Sequence, residues 1–581
     1  MIRNSSMWRL LLLIIAIAGI AAFAFAAQVE KDTYMAGFHQ ANGVSCVDCH
    51  EKNFVMDDSE TVVNKKCVEC HGSMSDMAKV TAKDELNPHK SHLGEINCST
   101  CHKGHEQSKA YCNNCHTFKM DIKFDSDKKA EFADSADVVV VGAGGAGYVA
   151  AISAADAGAK VILLDRMPIT GGNSSLAAGG INAAETSVQK KQGIKDDKEA
   201  MVEETIKGGR YLNDVQLVKT MVYNSAAAID WLISIGADMS DIVRSGGVDY
   251  DRTHRPVGGG AVGTHLISVY KANAIKKGID VRVNSDVVKI IKNDKGAVVG
   301  VQVKGKHSGL YTIKAKAVVV AAGGFAASDE LVAKYKPQFK NTPSSNQPGA
   351  TGGGIKILED AGAEMIDMGF IQIHPTMGGD TKVLISETVR GSGAILVNQE
   401  GKRFVNELTT RDKATAAILK QTGAKAYLIF GEEVRKANKQ VNGYIHLNLV
   451  ESASNLKDLA KKIDVPADVM ADTVAKYNSY YTKKADPEFS RQDMPRPIKE
   501  AQYYAIMVKP GRHHTMGGAR INTNSQVINL TADVIPGLFA AGEVTGGVQG
   551  GNRLGGNAIT DTVVFGRIAG ANAASYAASV K

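Results

Sequence analysis

All eight cysteines of the chain fall between residues 46 and 115, and every one belongs to a copy of the same pattern. The copies are Cys46-Val-Asp-Cys49-His50, Cys67-Val-Glu-Cys70-His71, Cys98-Ser-Thr-Cys101-His102 and Cys112-Asn-Asn-Cys115-His116. Cys-x-x-Cys-His is the attachment signature of c-type haem: two thioethers fix the porphyrin edge and the adjacent imidazole reaches the iron. Clustered cysteines also serve disulfide frameworks in exported segments and zinc sites. Neither explains a histidine after the second cysteine in all four copies. Outside the motifs the same region holds four more histidines, His39, His89, His92 and His105. Four irons with one motif imidazole each need four further axial ligands, and the numbers match. Two imidazoles per iron make a six-coordinate, low-potential centre suited to electron transfer. The spacing does not say which free histidine serves which haem.

A second chemistry begins at residue 137. Asp137-Val-Val-Val-Val141 reads as a buried strand leading into Gly142-Ala-Gly144-Gly-Ala146-Gly147, then an alanine-rich helix over 148–157. A second strand, Lys160-Val-Ile-Leu-Leu164, ends in Asp165. Strand, glycine triplet, helix, strand and terminal acid in one unit are specific for dinucleotide binding. The glycines let backbone approach a pyrophosphate, the helix N-terminus stabilises its charge, and Asp165 can take ribose hydroxyls. Further glycine clusters follow at Thr170-Gly-Gly172-Asn173-Ser174-Ser175, Ala177-Ala178-Gly179-Gly180, the strand end 318–324 with Gly324, and Gly537 to Glu543. This scatter resembles the contacts that a two-dinucleotide-fold flavoprotein makes along extended FAD, with Glu543 on the flavin-side ribose or ribityl.

These groups must be positioned by several domains, for which 581 residues are ample. The net charge of +7 is mild for this length, and no nucleic-acid motif is present. Arg3 and Arg9, the apolar run from Leu10 to Ala22 and Ala24-Phe25-Ala26 make residues 1–26 a signal peptide, with a retained anchor as the alternative. The working protein is expected in the periplasm. Residues 27–123, poor in large aliphatics, suit a small domain whose core is largely porphyrin.

From Asp137 onward the chain resembles the flavoprotein subunit of the fumarate reductase/succinate dehydrogenase family. With its haem module it is similar to the soluble tetrahaem flavocytochrome c fumarate reductases of Shewanella. The motifs are Ile373-His374-Pro-Thr376, Ser386-Glu387-Thr-Val-Arg390-Gly391, Asn406-Glu-Leu-Thr-Thr-Arg411-Asp412, His513-His-Thr-Met-Gly-Gly518 and Gly551-Asn-Arg553-Leu-Gly-Gly556-Asn557. The implied fold is multidomain: a small haem-packed tetrahaem cytochrome c module (27–123), an α/β Rossmann-like FAD domain (124–368 and 514–581), and an inserted α+β clamp or capping domain (369–513). The resemblance adds Arg553, Gly556, Asn557, Ala558 and Ile559 to the FAD contacts. Asn173 stands where dehydrogenase members carry a flavin-linked histidine, so FAD is expected to be noncovalent. Arg553 and His513 would hold one substrate carboxylate, and His374 and Ser386, beside Glu387, the other. Arg411 would donate the proton, resupplied through Glu387 and Arg390. On residue chemistry alone Arg411 reads as an electrostatic group, because a guanidinium seldom releases its proton.

Two departures bear on the substrate. Ser386 replaces a threonine, and Arg244-Ser245 and Leu384 replace methionines expected to pack on fumarate. Fumarate is the first expectation, with urocanate, methacrylate or cinnamate as alternatives. A non-catalytic electron carrier is the rival of another class, and an oxidase of the aspartate-oxidase type is a second rival enzyme. The expected partners are a small unsaturated carboxylate and a membrane-anchored or periplasmic cytochrome donor, for a monomer.

Overall fold

The computed structural model describes residues 67–68, 72–80, 87–90, 96–102, 111–114, 135–244, 248–306, 309–499 and 501–580. The signal-peptide segment lies outside them, as do Cys46, Cys49, Cys70, Cys115, His39, His50, His71, His92, His105 and His116. The chain divides into a haem-motif unit and a larger unit beginning near residue 133.

In the haem-motif unit, helix α1 (Met74–Val80) starts at a reciprocal cap. Ser73 Oγ accepts the Asp76 N–H at 3.2 Å, and Asp76 Oδ2 accepts the Ser73 N–H at 3.1 Å. Asn87 ties the next turn to this helix, donating to Ala78 O and accepting the His89 N–H. Helix α2 (Cys98–Cys101) is a single turn that puts the two thiols at i and i+3, on one face. His102 follows in extended backbone (φ −94°, ψ 112°) with its N–H on Cys98 O.

The larger unit opens on β1 (Ser135–Val141), α3 (Gly145–Asp156) and β2 (Val161–Leu164), the strand–helix–strand order that the glycine fingerprint predicts. A parallel crossover requires a helix, and the run of small residues in α3 makes it thin enough to lie close on the sheet. Gly142 has φ 100°, and a Cβ on Gly147 would fall 1.7 Å from Gly142 O, so both positions require glycine. Helix α4 (Lys198–Gly208) follows, then β3 (Asp280–Arg282) and β4 (Gly309–Val320).

The chain next enters an inserted unit: β5 (Ile371–Gly378), α5 (Glu387–Gly391), β6 (Ile395–Val397), α6 (Arg411–Leu419), β7 (Ala426–Gly431), β8 (Glu451–Ala453), α7 (Ala467–Lys483) and β9 (Tyr503–Thr515). It returns through β10 (Gln526–Ile528), β11 (Val534–Ala540) and the long helix α8 (Asn557–Ser579). One eight-stranded sheet has the order β10-β11-β4-β1-β2-β3, with strands Ser285–Lys292 and Val298–Gly305 joining beside β4. Its β1, β2, β3, β4 and β11 run parallel. The insertion has its own antiparallel sheet, β5-β9-β7-β6, with β8 also on β9.

Separate apolar cores follow from these two sheets. The larger draws on residues from 136 to 373 and 519 to 577. Two smaller cores lie within 385–508. Helix α8 packs along α3 at backbone distance: a Cβ on Gly570 would stand 2.2 Å from Ala150 O. No helix among the described residues is long and apolar enough to cross a membrane.

Candidate active site

Strand β5 carries Gln372 and His374 at alternate positions, so both point to one face, and both are buried. Pro375 has no N–H for the ladder, and the β5–β9 register shifts between His374 and Met377. The Thr376 N–H turns instead to His374 Nδ1 at 3.2 Å. This hydrogen bond assigns the proton of the neutral imidazole to Nε2. That Nε2 is buried without a hydrogen-bond partner among the described residues and lies 4.0 Å from Glu387 Oε1. Burial first, then the charge of Arg411, holds the His374 pKa well below the usual histidine value. His513, from β9, stands edge-on to it with ring centroids 5.3 Å apart and is kept neutral by the same causes. Its Nδ1 lies 2.8 Å from Ser345 Oγ.

Arg411 is the first residue of α6. Its Nε and Nη2 reach Glu387 Oε1 and Oε2 at 2.8 and 3.0 Å, and its Nη1 reaches Gln372 Oε1 at 2.8 Å. Such a bidentate pair fixes the guanidinium plane. Burial pushes the Glu387 carboxyl up, but Arg411, charged and hydrogen-bonded to it, and then Arg390 outweigh this and hold the pKa far below the usual range. Arg390 Nη2 lies 3.5 Å from Glu387 Oε1, while its Nη1 donates to Glu407 O at 2.6 Å. Ser386 caps α5, its Oγ accepting from Thr388 N and Thr388 Oγ1 at 3.3 and 2.9 Å. Its own hydroxyl proton therefore remains to be donated.

Gln372 joins the two halves of the constellation. Its Nε2 donates to Asn552 Oδ1 and Arg553 O, each at 2.8 Å, while its Oε1 receives Arg411. Burial and the charge of Arg411 press the Arg553 pKa down to about 9, which leaves the guanidinium cationic at neutral pH. Arg553 Nε, Arg390 Nε and His374 Nε2 are all buried donors without partners among the described residues. Unpaired buried donors and excess positive charge make a site that an anion with several oxygens relieves.

Beneath Arg390 lies a fully buried ionic group. Arg403 grips Glu407 through two 2.8 Å bonds and Asp486 at 2.9 Å, and Arg491 reaches Glu407 Oε2 at 3.1 Å. Arg491 Nη2 also donates to Arg390 O at 2.8 Å. This group therefore holds the backbone that carries Arg390.

Residues fitting a dinucleotide follow the carboxyl ends of β1, β2 and β4. Cβ atoms on Gly144, Gly172 and Gly179 would meet nothing closer than 3.6 Å. Gly180 and Gly324 are tighter: a Cβ would be 2.6 Å from His254 O in one and 2.0 Å from Thr515 Oγ1 in the other. Ala146 is buried in α3, and Ser174 Oγ accepts the Gly145 N–H at 3.1 Å. Ala178 lies between Ala177 and Gly179 in the loop after that turn. Asp165 accepts N–H groups from Ala143 and Met167, both at 2.8 Å. Asn173 is held at both ends, donating to Asn346 Oδ1 at 2.5 Å and accepting the Gln347 N–H at 2.8 Å. Its Nδ2 also approaches Glu543 Oε2 at 3.5 Å. Glu543 accepts the Thr515 N–H at 2.9 Å, and burial raises its pKa. Gly556, at φ 89°, precedes α8, whose first turn holds Asn557, Ala558 and Ile559. Missing side chains at Gly144, Gly172 and Gly179, a helix N-terminus and backbone-anchored carboxylates fit FAD.

In the haem-motif unit, His89 and His102 present parallel rings (4°) with centroids 6.1 Å apart.

Reading from residue types missed Gln372, the Glu407 group and Asp561, a buried carboxyl in α8. A glutamine in the apolar alternation Ile371-Gln-Ile-His374 was the available signal for the first. The Arg244 side chain is 58% exposed and pairs with Asp251 at 3.0 Å. Ser245 lies outside the described residues.

Residues 137–559 match the family model for an FAD binding domain, and residues 38–117 match that for cytochrome c3. A probable fumarate reductase of Shewanella frigidimarina is 48% identical over 570 residues, covering 94% of this chain and 96% of the relative. A fumarate reductase (cytochrome) of the same species is 46% identical over 93% of this chain and 95% of its own. More distant is a urocanate reductase of Eggerthella lenta, 37% identical over 76% of this chain and 75% of its own. Among solved structures, the open conformation of a flavocytochrome c3 fumarate reductase superposes with a TM-score of 0.81 at 47% identity, covering 94% of this chain and all of the other. The chain belongs to the flavocytochrome c fumarate reductase family and is an oxidoreductase dependent on FAD and on four c-type haems.

Proposed function

We propose that this chain is an exported, periplasmic reductase that adds two electrons and two protons across the carbon–carbon double bond of fumarate to give succinate. The observation that carries this reading is Arg411, clamped by Glu387 and Gln372 among Arg553, His374 and His513. When bound, FAD would supply the hydride, and the haems would supply its electrons from a cytochrome donor. Arg553 and His513 take one carboxylate, while the Nε2–H of His374 and the hydroxyl of Ser386 take the other. Held by cations and donors at both ends, the substrate can accept negative charge as hydride arrives at one carbon. Arg411 gives the proton to the other carbon. Glu387, bonded to Arg411 and near Arg390, returns the proton.

For the cofactor we assign Asp165 to the adenosine ribose and Gly142, Gly144 and Gly147 to the pyrophosphate. The loops around Asn173, Gly180 and Gly324, Glu543, and the start of α8 take the remainder. His89 and His102 would share the haem bound at Cys98 and Cys101. Residues 369–513 would close as a clamp over the site and exclude water.

The experiment is turnover with a reduced viologen dye on fumarate, urocanate, methacrylate and cinnamate, with Arg411→Ala beside the wild type. Turnover on fumarate that falls at least about 100-fold in the variant supports the reading. Preference for another acid moves the substrate, and an active Arg411→Ala removes the acid role.

A further inference from the structure

The loop 208–213 follows α4 and runs beside the segment that ends in Arg553. Asn552 Nδ2 donates to Gly208 O at 3.2 Å, Gly551 N to Gly209 O at 2.8 Å and Asn213 Nδ2 to Val548 O at 2.9 Å. Within it, Arg210 and Tyr211 take left-handed backbone at φ 61° and 59°. Non-glycine residues keep such conformations only where their surroundings impose them. The crowding is visible at the preceding glycines: a Cβ on Gly208 would lie 2.7 Å from Leu554, and one on Gly209 would lie 2.1 Å from Asn213 Oδ1. The strained turn carries Arg210 to the first turn of α6, where its Nη2 meets Asp412 Oδ2 at 2.6 Å. Asp412 is the neighbour of Arg411.

Among the described residues, two ion pairs join segment 369–513 to the rest of the unit: Arg512–Asp329 and Arg210–Asp412. Arg512 sits where the chain itself leaves the insertion, so its pair adds little to what covalent connection already holds. Arg210 and Asp412 are distant in sequence from both crossings. Through this pair, the loop bonded to the Arg553 segment also holds the helix that carries Arg411.

We propose that Arg210, through its ion pair with Asp412, is a positioning residue that docks α6 against the Arg553 segment and sets the spacing between Arg411 and Arg553. The inference rests on the site reading given above. His374, Ser386 and Arg411 belong to the insertion and Arg553 to the flavin-binding part, so an anion meets all of them only when the two are docked. Weakening the docking lowers the binding-competent fraction and raises the apparent dissociation constant in proportion. The pair is half exposed, so the effect is modest.

The test is calorimetric titration of malonate, a dicarboxylate without a double bond, into the oxidised holoenzyme. Arg210→Gln should raise the malonate Kd and the KM for fumarate by about two- to five-fold, the range of a half-exposed pair. Melting temperature should not move, and Arg210→Lys should recover most of the loss. In an Asp412→Asn background, Arg210→Gln should add nothing. An equal loss in both backgrounds overturns the proposal, as does an unchanged Kd in Arg210→Gln or a lowered melting temperature without a change in Kd. Malonate binding needs no turnover. An active Arg411→Ala enzyme would therefore defeat the proton-donor reading while leaving this test intact.

Discussion

Asp561 sits in the second turn of α8 with 4% of its surface exposed. Gln549 Nε2 donates to its Oδ2 at 3.1 Å, while Asp561 Oδ1 and Gln549 Oε1 are both buried acceptors without a donor among the described residues. A proton on Oδ1 turns the carboxyl into the donor that the amide oxygen lacks. Burial, reinforced by the negative charge of Glu543, raises the pKa from 3.8 to about 7. At roughly 1.4 kcal/mol for each tenfold change in proton affinity, that displacement is worth about 4 kcal/mol. The sign follows from linkage: between pH 3.8 and about 7 the folded protein keeps a proton that the unfolded chain has released. The stabilisation is complete below pH 3.8 and is lost as pH rises through 7. Asp561→Asn keeps the shape, offers its Nδ2 to Gln549 Oε1 and carries no charge at any pH. The stability difference between variant and wild type should therefore move by about 3–4 kcal/mol in favour of the variant between pH 4 and pH 8. Urea unfolding of the holoenzyme at one-unit pH steps, followed by flavin fluorescence on release, reads this directly. A difference independent of pH would refute the argument. So would an infrared spectrum at pH 6 in which no protonated-carboxyl band is lost in the variant.

Gly324→Ala places a methyl 2.0 Å from Thr515 Oγ1 and 2.5 Å from Glu543 Oε1, so about 1–3 kcal/mol of stability and part of the FAD should be lost. Melting temperature and flavin content after dialysis check it. Glu407→Gln leaves Arg403 and Arg491 with less than their compensating charge in a dry interior, and thermal unfolding should show a loss of about 3–5 kcal/mol. His89→Met should raise the reduction potential of one haem, since a Met/His pair favours the ferrous state over two imidazoles. Spectropotentiometric titration with four unchanged potentials would reject the His89–His102 pairing. Because burial and Arg411 keep His374 and His513 neutral, kcat/KM should show no histidine titration between pH 6 and 8.

What residue order reveals here is chemistry with local spacing. A haem motif spans five residues and a dinucleotide fingerprint about thirty, so each is legible without knowing the fold. The substrate residues came from family motifs, because nothing between residues 374 and 553 says locally that they converge. Gln372 went unread although it shares a strand face with His374, since a lone glutamine has too many ordinary uses. Arg210 and Asp412 are 202 positions apart, and neither Asp561 nor Glu407 carries a signal separable from a surface acid. Their roles arise from burial, which only tertiary packing creates.

Strands β5 and β9 enter and leave the insertion side by side, with Ile371 opposite Thr515 and Gln372 opposite His514. The two ends of the intervening polypeptide are thus adjacent, as in a cassette. A pair of genetic crossovers at these positions would transfer His374, Ser386, Glu387 and Arg411 together, with the ionic group that supports them. Arg553, Glu543 and the glycine fingerprint would stay with the recipient. Half of the anion-binding constellation can therefore be inherited as a block, so relatives sharing one flavin scaffold could diverge in the acids they accept by recombination at a two-stranded junction.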